Sequence, residues 1–353
     1  MKMAHQNGAD FVDLNCGCPI YEATRRGLGS SLLRSPDKLQ KLVAGLVKGS
    51  EGNIPVTVKI RLGCESDTVN CLEHVTKLRE AGAAAVTIHG RTAQQGYSRN
   101  ADWTLIDKAV QENNSMPIIG NGDILTHYEA RRRMMETGVD SVMVGRGALE
   151  KPWIFQEFND GATWTPDIQT RVEVYRTLAV YMKEHFGDDD MGRKKSWTFL
   201  PWHFDFLSRY VPYPESEYGA RSIERPLLQS RFGESTDGMT PLEILMANRC
   251  SDAHDIVASI LWESDSNMDA VHKLTAFAES HDFNEIVMNG SAVNSDEDEE
   301  LTNLKAKGVP GIRGKRQGRK PGPKRSDEEI AQIRAQRAAK KAGILADGGI
   351  WPP

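Results

Sequence analysis

Residues 1–150 read as an α/β fold of successive parallel βα units, and three features of the sequence point that way. Five short apolar runs are each followed by polar or glycine-rich residues. Amphipathic helical stretches fill the intervals between them. The runs are also apolar on both faces, as strands are when helices cover a parallel sheet. Together these predict a partial (β/α)8, TIM-type barrel with about five of its eight strands.

The first run, FVDLN (11–15), leads into CGCP, which reads as a tight turn. Ser35 then stands at an N-cap with Pro36 at the first helical position, and Leu39, Leu42, Val43 and Leu46 share one face. PVTVKIRLG (55–63) is the second strand run. TVNCLEHVTKLREAGA places Leu72, Val75 and Leu78 on a helix that stops at Gly82. AAVTIHGR (84–91), PIIGNGDI (117–124) and SVMVGRGAL (141–149) complete the strands. Between the last two, Thr126 and Glu129 stand at capping-box spacing and Gly138 ends the helix.

Beyond Trp153 strand signals cease. Helical patterns at 171–186, 194–210 and 241–262, rich in aromatics, predict a separate helical domain over 151–262. Residues 263–304, which include SDEDEE, have the composition of an acidic, polar linker. Residues 305–353 form a basic, mostly disordered tail, with one short helix expected to open at Ser326 and Glu329.

The net charge of −5 gives no whole-chain case for nucleic acid, but it averages over a tail dense in Lys and Arg. Hydrophobic content of 39% suffices for a sizeable core. MKMAHQNGAD lacks the apolar stretch of a secretory signal. No run approaches the roughly 20 apolar residues of a membrane helix, so no membrane association is expected. Five cysteines, odd in number and irregularly spaced, do not form a disulfide framework. The cytoplasm is the expected location, with the nucleus second because of the basic tail.

Polar residues recur where successive strands end: Asn15 and Cys18, Lys59 and Arg61, His89 and Arg91, Asn121, Gly122 and Asp123, Gly145 and Arg146. In a (β/α)8 barrel that edge builds the active site. Singly, each has a plainer reading as a surface charge, a turn cap or a core histidine. Five strands ending alike outweigh it. GNGDI and VGRGAL leave backbone N–H groups open beside Arg146, and the loops after the last two strands of such barrels frequently bind phosphate. This suggests a phosphorylated cofactor such as FMN, with Lys59 placed to stabilise negative charge on a reduced flavin. Neither RRGLGSSL nor VGRGAL has the dinucleotide glycine setting. Cys16 and Cys18 lack the further ligands of a zinc site, so no metal is expected. Cys16 reads as packing. Cys18, presented between Gly17 and Pro19, reads as a thiol able to act as nucleophile or general acid.

DLNCGCP, VKIRLG, IHGRTAQQGY, GNGDI and GRGALEKPWIF, in this order, resemble the tRNA-dihydrouridine synthases over about residues 8–262. HGRTAQQGYSRNADW, KKSWTFLPWHFDFLSRYVP and LEILMANR look most like the eukaryotic branch acting at position 47, in the variable loop of tRNA. The resemblance implies an FMN oxidoreductase that takes electrons from NADPH and reduces the C5–C6 double bond of a tRNA uridine. It makes 1–150 the FMN-binding catalytic domain and 151–262 the tRNA-binding domain. Cys18 is implied as proton donor. Lys59, His89, Asn121, Gly122, Asp123, Gly145 and Arg146 are implied at the cofactor, and Asn15, Arg61 and Arg91 at the substrate.

The family's opening strands have no counterpart, so an N-terminally truncated barrel that starts just before the fourth strand is expected. The alternative function is a truncated, catalytically inactive relative that binds RNA through the helical domain and tail. GKRQGRKPGPKR reads either as a solvated tail or as an arm with salt-dependent affinity for phosphates. A monomer is expected.

Overall fold

Five strands, β1 (Val12–Asn15), β2 (Val56–Arg61), β3 (Ala85–His89), β4 (Ile118–Asn121) and β5 (Ser141–Met143), pair in parallel in chain order. The computed structural model describes residues 1–286 apart from 98, 114 and 231–235. The expected acidic run and the basic tail therefore lie outside the described residues. Crossovers of one hand between strands that follow in order put every covering helix on the same face. A doubly wound sheet would reverse its order part-way. The fold is thus a partial TIM-type α/β barrel followed by a helical region.

The covering helices are α1 (Pro36–Ser50), α2 (Cys71–Glu80), α3 (Trp103–Gln111) and α4 (His127–Thr137), each packed on the next. Asp102 caps α3 by accepting from the Thr104 N–H at 2.9 Å, and the Thr126–Glu129 capping box forms at α4. Ser35 occupies the N-cap position of α1, but its side chain makes no capping bond. Leu39 and Val43 are fully buried. Leu42 is 40% exposed, because it falls at the margin of the apolar stripe rather than along its centre. Where α3 meets the sheet, Gly120 leaves room for Trp103; a Cβ there would stand 2.3 Å from the indole.

The helical region comprises α5 (Ile168–Phe186), α6 (Leu200–Leu207), α7 (Glu215–Glu224), α8 (Ser251–Glu263) and α9 (Asn267–Ala278), with shorter helices between them. The helix expected at 194–210 is divided between Asp190–Ser196 and Leu200–Leu207. The one expected at 241–262 is interrupted after Ala247, where Asn248 Oδ1 accepts from the Cys250 N–H at 2.8 Å. Val172, Tyr175, Phe204, Val257, Leu261 and Trp262 form a core distinct from that of the sheet.

The linker expected from 263 is corrected over its first part. Ala270, Leu274, Ala278 and Phe283 are buried in that same helical core. Burying such a stripe stabilises a helix of polar composition, by about 0.8 kcal/mol per CH₂. The described residues of sheet and helical region belong to one compact unit. At their junction α7 lies on α4. Arg132 donates to Ser222 Oγ and to its carbonyl, both at 2.8 Å, and Leu125, Tyr128, Tyr213 and Leu227 make a third small core. No described helix is long and apolar enough to cross a membrane.

Candidate active site

Strand register assembles the site. Parallel partners point to the same face, so Arg61, His89, Asn121 and Met143 form one row across β2 to β5. Asn15 and Lys59 form a second row two residues below. Every site residue named from the sequence lines one cavity of about 250 Å³ at the C-terminal ends of the strands. Cys18 and Lys59 therefore share it.

The turn after β1 explains why a strand ends in an amide and two thiols. Asn15 Oδ1 accepts from the N–H groups of Gly17 and Cys18, each at 3.0 Å, an Asx turn that reverses the chain. The Gly17 carbonyl accepts from Arg61 Nε at 2.8 Å, and the Cys18 carbonyl from the Ser30 N–H at 2.9 Å. Gly29, at φ 59°, presses against that last carbonyl; a Cβ on it would lie 2.4 Å from the oxygen. Cys16 is buried in the sheet core, where burial and then the charge of Asp13 push its thiol up to about 12. Cys18 is half-buried and borders the cavity. Of the two, only Cys18 is placed to meet a ligand.

The basic residues divide into two kinds. Arg61 donates from Nε to Gly17 and from Nη1 to the Thr92 carbonyl at 3.0 Å. Arg91, with no exposed surface, donates to the Arg99 carbonyl and through Nη2 to both Asp123 oxygens, at 2.7 and 2.6 Å. The resemblance assigns both arginines to substrate, whereas the structure commits these donors to the framework. Lys59 and Arg146 are freer. Lys59 Nζ donates to Asn121 Oδ1 at 3.2 Å, and the Asn121 amide is anchored on the Met143 carbonyl at 2.7 Å. Burial, then the neighbouring charge of Arg61, lowers Lys59 to about 8. Arg146 donates from Nη2 to Asp123 at 2.9 Å, and the ring of Tyr97 lies 4.0 Å from its guanidinium carbon.

His89 is held neutral. Burial first, and then Arg61, Lys59, Arg91 and Arg146, lower its pKa to about 2. Its Nε2 faces Arg91 Nη1 at 3.3 Å. A guanidinium only donates, so Nε2 accepts and Nδ1 carries the proton. Asp123, in the left-handed region at φ 53°, has its carboxylate filled by Arg91, Arg146, the Ala101 N–H and Gln229. That makes it the holder of the arginines; a bare carboxylate would repel a phosphate. Gly122 and Gly145 line the cavity with main chain, and a Cβ on Gly145 would meet nothing within 4 Å.

Tyr97, Leu228 and Gln229 did not stand out in the sequence. Tyr97 stands in IHGRTAQQGY, and its tyrosine after a glycine-containing loop was the available signal. Leu228 and Gln229 arrive from the helical region, with no local signal at all. The ensemble is rich in donors: Lys59, Arg146, the His89 Nδ1–H and the exposed Asn15 amide. Asp123 is the sole carboxylate among its described lining residues. That chemistry fits an anionic, carbonyl-rich ligand such as a flavin mononucleotide.

A family profile described as dihydrouridine synthase (Dus) matches residues 1–203. The chain is 40% identical over 203 residues to the tRNA-dihydrouridine(47) synthase [NAD(P)(+)]-like protein of Homo sapiens, covering 58% of this chain and 31% of that protein. It is 38% identical over 218 residues to the tRNA-dihydrouridine(47) synthase [NAD(P)(+)] of Candida albicans, covering 57% of this chain and 35% of the relative. The matched part thus spans about a third of the length of these curated relatives. With more than half of its residues in the family match, the chain belongs to the dihydrouridine synthase family.

Proposed function

We propose that this chain carries the catalytic centre of a tRNA uridine reductase that uses FMN and NADPH, acting in the variable loop, with Cys18 as proton donor. The observation that supports it most is the placement of the Cys18 thiol, on a fully hydrogen-bonded turn, in one cavity with Lys59 and Arg146. Reduction of C5–C6 needs a hydride at C6 and a proton at C5. A bound reduced flavin supplies the hydride.

The protein's own residues do the rest. Arg146, with one Nη2 bond to Asp123 and a partly exposed guanidinium, anchors the phosphate. Lys59, fixed by Asn121, offsets negative charge on the ring. Neutral His89 donates a hydrogen bond from Nδ1 without adding charge. Cys18 Sγ gives its proton to C5 and is reprotonated from water. The uridine must leave its stack to reach the cavity, a cost of a few kcal/mol that contacts to tRNA offset. The helical region and the basic tail are the proposed tRNA-binding parts, and a monomer in the cytoplasm or nucleus is the proposed state.

The test is the purified chain with added FMN. Flavin absorbance that co-elutes with protein is expected. Cys18→Ala is expected to keep the flavin while dihydrouridine formation falls about 10²–10⁴-fold, the usual worth of a positioned proton donor. Protein that takes up no FMN, or a Cys18→Ala variant at full rate, contradicts the reading. Salt-sensitive tRNA binding without turnover supports the alternative, an RNA-binding relative without redox activity.

A further inference from the structure

The carboxylate of Asp123 is the hinge between the cavity and the helical region. Its side chain is 1% exposed. Oδ2 accepts from Arg91 Nη2 at 2.6 Å and from the Ala101 N–H at 2.7 Å. Oδ1 accepts from Arg91 Nη2 at 2.7 Å, from Arg146 Nη2 at 2.9 Å and from Gln229 Nε2 at 3.2 Å. Gln229 lies 106 residues along the chain from Asp123. It ends a 3₁₀ turn, Leu227–Gln229, that is pinned on its other side. There the Leu227 N–H donates to Glu129 Oε1 at 3.0 Å, and the Leu227 side chain is buried with Leu125, Tyr128 and Tyr213. The turn cannot slide without breaking a buried hydrogen bond, so Gln229 presents its amide to Asp123 from a fixed support.

We propose that Gln229 is a positioning residue for phosphate capture, setting the guanidinium of Arg146 through the oxygen of Asp123 that both share. A guanidinium has five N–H donors in one plane. Arg146 commits one nitrogen to Asp123, and Tyr97 stacks on its face, so the plane of the carboxylate fixes where the remaining donors aim. Arg91 Nη2, which bridges both oxygens, and the Ala101 N–H on Oδ2 draw that carboxylate toward the Arg91 side. The Gln229 amide, a further donor on Oδ1, holds that oxygen on the Arg146 side. The inference rests on Arg146 being the anchor for a phosphate, as proposed above.

The test compares two probes on the full chain, FMN and riboflavin, which differ by the phosphate. Affinities are read from quenching of flavin fluorescence. Wild type is expected to bind FMN well over tenfold more tightly than riboflavin, a charge-assisted contact being worth about 1.5–3 kcal/mol. Gln229→Leu, similar in size but without a donor, should lower FMN affinity by about 5–10-fold and leave riboflavin affinity in place, the scale of one lost hydrogen bond. Gln229→His, which keeps a donor, should recover part of the difference. A wild type that does not distinguish the probes removes the phosphate anchor, and the proposal with it. A wild type that distinguishes them and a Gln229→Leu variant that does so equally well overturn the positioning role alone. Equal loss for both probes also overturns it, because Gln229 would then merely support the wall.

Discussion

The strand-end cavity and the junction beneath the helical region both bury charge, but in opposite balance. At the cavity, Lys59, Arg61, Arg91 and Arg146 surround one carboxylate, Asp123. At the junction acids outnumber cations, and each buried one has a partner within the protein. Lys151 meets Glu157 at 2.5 Å, both almost without exposed surface. Glu129 accepts from the N–H groups of Leu125, Thr126 and Leu227. Glu150 accepts from the Tyr213 hydroxyl at 3.4 Å. Removing an ion from water costs several kcal/mol unless partners replace the hydration. A set whose members are paired or hydrogen-bonded to one another and to the backbone meets that cost within the protein and is structural. A surplus of cations is tolerated where an anion arrives from outside, and so it marks a ligand site.

The contrast can be broken most forcefully at Lys151. Glu157→Gln strands a buried ammonium and should lower the free energy of unfolding in urea by about 3–5 kcal/mol. Lys59→Met removes a surplus charge and should cost under about 1 kcal/mol, or stabilise the protein. Equal losses would erase the distinction.

Glu150 gives the next effect. Burial raises its pKa from 4.5 to about 7. Between those values the unfolded state is the more ionised, so stability declines as pH rises through that window. The decline is at most about 3 kcal/mol, since each pH unit that separates the folded and unfolded values carries about 1.4 kcal/mol. Glu150→Gln should flatten that part of a pH series of urea melts.

Lys59 sharpens the other side of the comparison. Its ammonium is held to about 8, so FMN affinity should be full below that pH and fall by about 3–10-fold toward pH 9 to 10, where the charge is lost. Lys59→Arg should keep the binding curve flat there. The smallest effect belongs to the exposed pair Arg131–Glu215, 2.7 Å apart on the junction's outer surface. Arg131→Ala should cost no more than about 0.2–1 kcal/mol in the same urea melts.

What the sequence revealed of the site follows from how the site is built. Strands of a parallel barrel deliver their C-terminal ends to one rim, so Cys18, Lys59, His89, Asn121 and Arg146 could be grouped without knowing any distance. The commitment of Arg61 and Arg91 could not be read that way. It depends on carbonyls at Gly17, Thr92 and Arg99 that the folded loops bring within 3.0 Å. Gln229 was invisible for the same reason, since nothing near it in the chain announces Asp123. In the fold, Ser35–Pro36 marked the start of α1 correctly, while Leu42 shows the limit of a face read from spacing alone. Helix α9 escaped because its buried stripe is mostly small alanines in a polar context, which composition does not distinguish from a linker.

The close approach of Gly29 to the carbonyl of Cys18 has a genetic consequence. A single methyl added at residue 29 has nowhere to go but into that oxygen, and Cys18 is tied to Asn15 on its other flank. The atoms displaced would therefore be the carbonyl of Cys18 and the Cβ that carries its thiol. An inherited Gly29→Ala allele, silent by the measure of side-chain chemistry, should behave biochemically as a lesion of the cysteine itself.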